Sequence, residues 1–145
     1  MITKFKLFEN SNNISEQELE LISEKILKLY PRINYGGCGV FARAFHEVTN
    51  LPYMLIIDTG LPDEDPPIHV MIYLNDGRLY DGEGIRTEEE IEEYYQYDIE
   101  DELMFITDND GEMLDNYYHE LGSGLFTTDH KSSFSDIKEI IESVI

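Results

Sequence analysis

The stretch HVMIYLNDGRLYD, residues 69–81, decides the fold because it predicts two antiparallel strands joined by a tight turn. Two apolar runs flank the sequence Asn-Asp-Gly, a combination that is typical of a β-hairpin. A two-residue loop would point Asp81 to the face opposite His69, whereas a three-residue loop would place both side chains on one face. Asn-Asp-Gly suits the three-residue loop, in which Gly77 takes the left-handed conformation.

Helices are predicted on both sides of this hairpin. Ser15 with Glu18, and Thr87 with Glu90, form two capping boxes at predicted helix starts. Helices are expected over about 16–30, 38–49 and 88–97 and from 135 onward, and strands at 53–58, within HVMIYL and RLYDGEG, and at 103–107. Residues 112–130 receive no assignment. This order predicts a single α+β domain over residues 1–145, with helices packed on an antiparallel sheet.

The charge is the most unusual bulk property of the chain. Its 145 residues carry 31 acidic against 10 basic side chains, a net charge of −21. Residues 87–130 contain neither Lys nor Arg. Such a surface repels nucleic acid and acidic membranes, so we expect neither as a direct partner, and it attracts basic proteins or peptides. The charge also has a simpler interpretation, which is that it keeps the protein soluble.

The single cysteine, Cys38, lies in GGCGVFARAF, residues 36–45, at the start of a predicted helix. One cysteine forms no internal disulfide, so we expect a free thiol in a reducing cytoplasm. The unpaired N–H groups of a helix start stabilise a thiolate, and the adjacent Gly37 leaves room for a substrate backbone. The alternative is that Cys38 is an inert core residue, as most cysteines on apolar helices are.

Cysteine catalysis also needs a base and a group that orients the base. His69, at the start of its strand, is the candidate base, and Asp81 is the candidate orienting residue if the hairpin has the three-residue loop. An oxyanion donor is required as well. The backbone N–H of Cys38 and a side chain from Asn34 or Tyr35 are the candidates. In the alternative interpretation, His69 ends a strand and Asp81 belongs to a turn.

These motifs resemble papain-like cysteine peptidases of the NlpC type, their amidase relatives and the wider transglutaminase-like group. HVMIYLNDGRLYD is similar to their histidine strand, and GGCGVFARAF is similar to the cysteine at the start of their central helix. The resemblance spans residues 35–84. It implies a papain-like core with Cys38 as nucleophile, His69 as general base and acid, and Asp81 as orienting residue.

Two functions from different classes follow. The first is a cysteine hydrolase or acyl transferase, of the thiol peptidase or amidase type, that acts on a basic protein or peptide through an acyl-enzyme. The second is a non-catalytic acidic protein that binds or inhibits a partner by occupying its basic surface, including a nucleic-acid-binding surface. No cofactor is expected, because DNDGE, residues 108–112, lacks the ligands of a calcium loop and the histidines are scattered.

Overall fold

The computed structural model describes residues 14–35, 37–121 and 134–145. Five strands form one antiparallel sheet: β1 (Tyr53–Asp58), β2 (His69–Tyr73), β3 (Leu79–Asp81), β4 (Gly84–Arg86) and β5 (Leu103–Asp108). Their spatial order is β4-β3-β2-β1-β5. The helices are α1 (Glu16–Leu29), α2 (Cys38–Thr49), α3 (Glu88–Tyr95), α4 (Glu112–Leu121) and α5 (Phe134–Val144). The chain therefore has the predicted α+β fold.

The β2–β3 hairpin has the three-residue loop. Ile72 lies opposite Tyr80, and the Leu74 N–H donates to the Arg78 carbonyl at 2.9 Å. Gly77 has a φ of 90°, the left-handed conformation that was predicted for the third loop residue. Because side chains alternate along a strand, this register places Asp81 on the same face as His69. The prediction of the register is confirmed.

The prediction that RLYDGEG forms one strand is wrong in its second half. The chain turns after Asp81 and returns as β4, with Asp81 opposite Gly84. Gly82 lies in this turn, and a Cβ atom at its position would approach the Ile33 side chain to 2.5 Å. The glycine therefore permits a close contact between the second turn and the loop that precedes α2.

Helices cover both faces of the sheet. On one face Leu55, Ile72 and Tyr80 pack in the main core with α1, α2 and α5. On the other face Ile91 of α3 packs in a smaller cluster with side chains that include Met71. Helix α2 is buried along most of its length, as its apolar circumference predicts, and packs against β2.

The helix starts agree with the sequence signals. Both capping boxes are formed, with Glu18 N–H donating to Ser15 Oγ and Glu90 N–H donating to Thr87 Oγ1, each at 3.1 Å. Helix α4 was not predicted, and the rest of the unassigned stretch, 122–130, lies outside the described residues. None of the helices in the described part of the chain has both the length and the apolar character that crossing a bilayer requires.

Candidate active site

Cys38 is the first residue of α2, as predicted. Gly37 precedes it as the N-cap and provides no side chain for capping. The N–H groups of the first helical turn therefore point toward the region of the sulfur without a capping side chain in between. Cys38 has no exposed surface, so the thiol is enclosed in this conformation.

His69 and Asp81 form a buried pair on the sheet. The distance from His69 Nε2 to Asp81 Oδ2 is 2.8 Å. The Cys38 side chain lies near enough to the same imidazole to raise its pKa. Since Asp81 occupies Nε2, the nitrogen that is left for the thiol is Nδ1. Cysteine, histidine and aspartate thus converge in the order that the sequence suggested.

Asp81 also receives hydrogen bonds from three other groups. Asn34 Nδ2 donates to Oδ2 at 3.1 Å, and Arg86 Nη2 donates to the same oxygen at 2.5 Å. The backbone N–H of Glu83 donates to Oδ1 at 2.8 Å. A carboxylate held by this many donors has little freedom to rotate. It therefore fixes the imidazole plane of His69 as well.

The buried groups perturb each other's ionisation. Burial alone would lower the pKa of His69, but the neighbouring Cys38 and the hydrogen bond that the imidazole donates to the Asp81 carboxylate raise it to about 10. Burial alone would raise the pKa of Asp81, yet the hydrogen bond and charge of His69 and the charge of Arg86 hold it below its ordinary value. The arrangement thus favours the imidazolium form of His69 beside an ionised Asp81.

A cleft of about 240 Å³ lies beside the imidazole. Its wall is formed by Asn34, Tyr35, Ile68, His69, Glu83, Arg86, Tyr94, Tyr95 and Asp98. Cys38 is not one of the residues that line this cleft. The ring centre of Tyr95, which does line it, lies 6.5 Å from that of His69, and burial together with the charge of Cys38 raises the pKa of Tyr95. His69 is thus the member of the Cys38, His69 and Asp81 group that lines the cleft.

The predicted oxyanion donors lie at the site, but their role stays a prediction. The Asn34 amide nitrogen is directed at Asp81, so Asn34 supports the orienting carboxylate in this conformation. Tyr35 is 65% exposed and lines the cleft together with Tyr94. Gly37 is buried at the start of α2, beside the Cys38 N–H.

Arg86 is the functional residue that the sequence prediction missed. It lies opposite Leu79, on the same face as Asp81, only because the chain turns at residues 82–83. The prediction of a single strand over RLYDGEG could not place Arg86 opposite Leu79. The signal was present in the sequence, since DGEG contains two glycines that suit a second turn.

Among the described residues, no three side chains from His, Cys, Asp or Glu are grouped so that they could hold a metal ion. His46, the other histidine near α2, stacks on Tyr53 with ring centres 4.6 Å apart, and its Nδ1 lies 2.7 Å from the Leu51 carbonyl oxygen. It therefore belongs to the core and not to the cleft.

Comparison with protein-family models, with curated proteins and with solved structures finds no match to this chain. The functional interpretation consequently depends on the residues and their geometry.

Proposed function

We propose that the protein is a cysteine hydrolase or acyl transferase with a papain-like core, acting on a basic peptide or protein. The observation that carries the proposal is the convergence of Cys38, His69 and Asp81, with the imidazole hydrogen-bonded to Asp81 and near enough to Cys38 for that side chain to raise its pKa. A nucleophile, a base and an orienting group are the parts that covalent catalysis by cysteine needs. A reducing cytoplasm would keep the thiol free.

The proposed reaction has two halves. The Cys38 thiolate attacks the carbonyl carbon of an amide, ester or thioester, a C–S bond forms, and the carbonyl electron pair moves to oxygen. When this intermediate collapses, the bond to the leaving group breaks, and the His69 imidazolium gives the leaving group its proton. Water or an amine then attacks the acyl-enzyme while neutral His69 accepts its proton, and the thiolate is released.

Iodoacetamide labelling tests the nucleophile, because the chain has one cysteine and each mass increase reports on Cys38. The native protein should be alkylated at pH 6 at least about tenfold faster than the His69→Gln variant, since loss of the imidazolium removes the charge that favours the thiolate. Cys38 has no exposed surface in this conformation, so the reagent must be small enough to enter when the site opens.

The His46→Gln variant is the matched control, because His46 lies outside the site. It should label like the unsubstituted protein, and all three proteins should label equally in urea. Equal rates for native His69→Gln and the unsubstituted protein would refute the proposal. So would a native thiol that resists the reagent at every pH but reacts after unfolding.

The net charge of −21 supports a second candidate, a non-catalytic protein that binds a basic surface. A Cys38→Ala variant separates the two candidates. It should abolish any acyl transfer, whereas a protein that acts only by binding would keep its full effect.

A further inference from the structure

Tyrosine rings line the cleft from its entrance to the imidazole. Tyr94 meets Tyr95 edge to face, with ring centres 4.8 Å apart. Tyr35 lines the same cleft, and the ring centre of Tyr95 lies 6.5 Å from that of His69. Aromatic faces attract cations through the negative charge of the π system.

The charges that line the cleft are unbalanced. The cations among its described lining residues are Arg86 and the His69 imidazolium, and both are already paired with the buried Asp81. Glu83 and Asp98 also line the cleft, and neither carboxylate forms an ion pair with another described residue. The space therefore carries excess negative charge close to aromatic rings.

The rings at this entrance already contact cations of the chain itself. The Arg86 guanidinium carbon lies 5.6 Å from the centre of the Tyr94 ring, and that of Arg32 lies 5.6 Å from the centre of the Tyr35 ring. The local geometry thus suits the contact between a cation and an aromatic face. Among the described residues, these contacts leave the two carboxylates and the Tyr95 ring without a cation.

We infer that the cleft binds the cationic end of a Lys or Arg side chain, through Glu83, Asp98 and the tyrosine rings. The inference rests on the proposed function, since the bound side chain would belong to the substrate that acylates Cys38. A cation held at this position would keep the neighbouring carbonyl beside His69. The enzyme would then select substrates with a basic residue close to the reacting bond.

Binding to the full-length Cys38→Ala variant tests this site without catalysis. The probes are N-acetyl-lysine methylamide and N-acetyl-norleucine methylamide, which share an aliphatic stem and differ in the amine. Tyrosine ring signals in NMR titrations report binding, and the chain contains no tryptophan to overlap them. The lysine probe should bind about tenfold more tightly than the norleucine probe.

Two double variants with equal charge change locate the effect. Glu83→Gln with Asp98→Asn should bring the two probes within about twofold of each other. Glu92→Gln with Glu93→Gln changes exposed residues of α3 that do not line the cleft, and should keep the preference. Equal binding of both probes to the parent would overturn the inference, and so would an equal loss in both double variants.

The alkylation experiment keeps the two proposals separable. Selective lysine binding with an unreactive Cys38 would refute the enzyme and retain the cation site. A reactive Cys38 without lysine selectivity would refute the cation site alone.

Discussion

At the scale of single residues, Asp81 connects the fold to the chemistry. One of its oxygens, Oδ2, accepts hydrogen bonds from His69, Asn34 and Arg86. These donors come from a strand, a loop and a second hairpin, so the carboxylate holds together elements that are distant in sequence. Its removal would leave several buried donors without an acceptor, which is costly.

The Asp81→Asn variant should lower the free energy of unfolding at pH 7 by about 3 kcal/mol, because it breaks a buried charge network. The pKa of Asp81 lies below its ordinary value in the folded state. Its stabilising effect is therefore complete above the unfolded value of about 3.9 and disappears as the pH falls through the folded value. Urea unfolding from pH 7 down to pH 3 should show the difference between the variant and the parent shrinking with acid.

The exposed Asp63 supplies the control for this experiment. Asp63→Asn should change the free energy of unfolding by no more than about 0.5 kcal/mol at pH 7. If Asp81→Asn behaved in the same way, the buried network would contribute little to folding, and Asp81 would serve only to orient His69.

At the scale of elements, the loop of the β2–β3 hairpin determines whether the site forms. The register that Gly77 allows brings Asp81 to the face of His69, and a shift by one residue would send it to the opposite face. The space that a Cβ atom would occupy at Gly77 is open, with no neighbouring atom within 4 Å. A side chain at residue 77 would therefore be disfavoured by the positive φ of the backbone and not by contact with neighbouring atoms.

Gly77→Ala should lower the free energy of unfolding by about 1 kcal/mol, because alanine disfavours positive φ. Gly77→Asn should cost less, since asparagine tolerates the left-handed region. Urea denaturation of both variants measures the order. Equal stability of Gly77→Ala and the parent would mean that the turn does not need the left-handed residue, and the register would then need another cause.

The sequence predicted the elements with strong local signals and missed two whose local signals are less specific. Capping boxes and the Asn-Asp-Gly turn act over a few residues, so they could be recognised without the fold. Helix α4 begins at a cap formed by Asp108, whose carboxylate accepts from the Gly111 and Leu114 N–H groups, but the residues of this cap, DNDG, indicate only a turn when the sequence is taken alone. Arg86 was missed for a similar reason, since its position requires the second turn.

At the scale of the whole molecule, charge sets how the protein meets a partner. The net charge of −21 produces a field that attracts basic molecules and also repels itself within the folded state. Buried pairs such as Arg86 with Asp81 are shielded from solvent, whereas the exposed carboxylates are screened by salt. Salt should therefore weaken the binding of a basic partner and stabilise the folded state.

Raising NaCl from about 0.01 M to 0.1 M shortens the screening length from about 30 Å to about 10 Å. The midpoint of urea unfolding should rise at pH 7, because self-repulsion weakens, with an unchanged dependence on urea concentration. Near the isoelectric point of about 4.2 the same salt step should have a much smaller effect, since the net charge is then close to zero. A midpoint that falls with salt at pH 7 would show that attractive surface pairs outweigh the repulsion. In that case ion pairs would neutralise much of the surface charge, and little electrostatic attraction would remain for a basic partner.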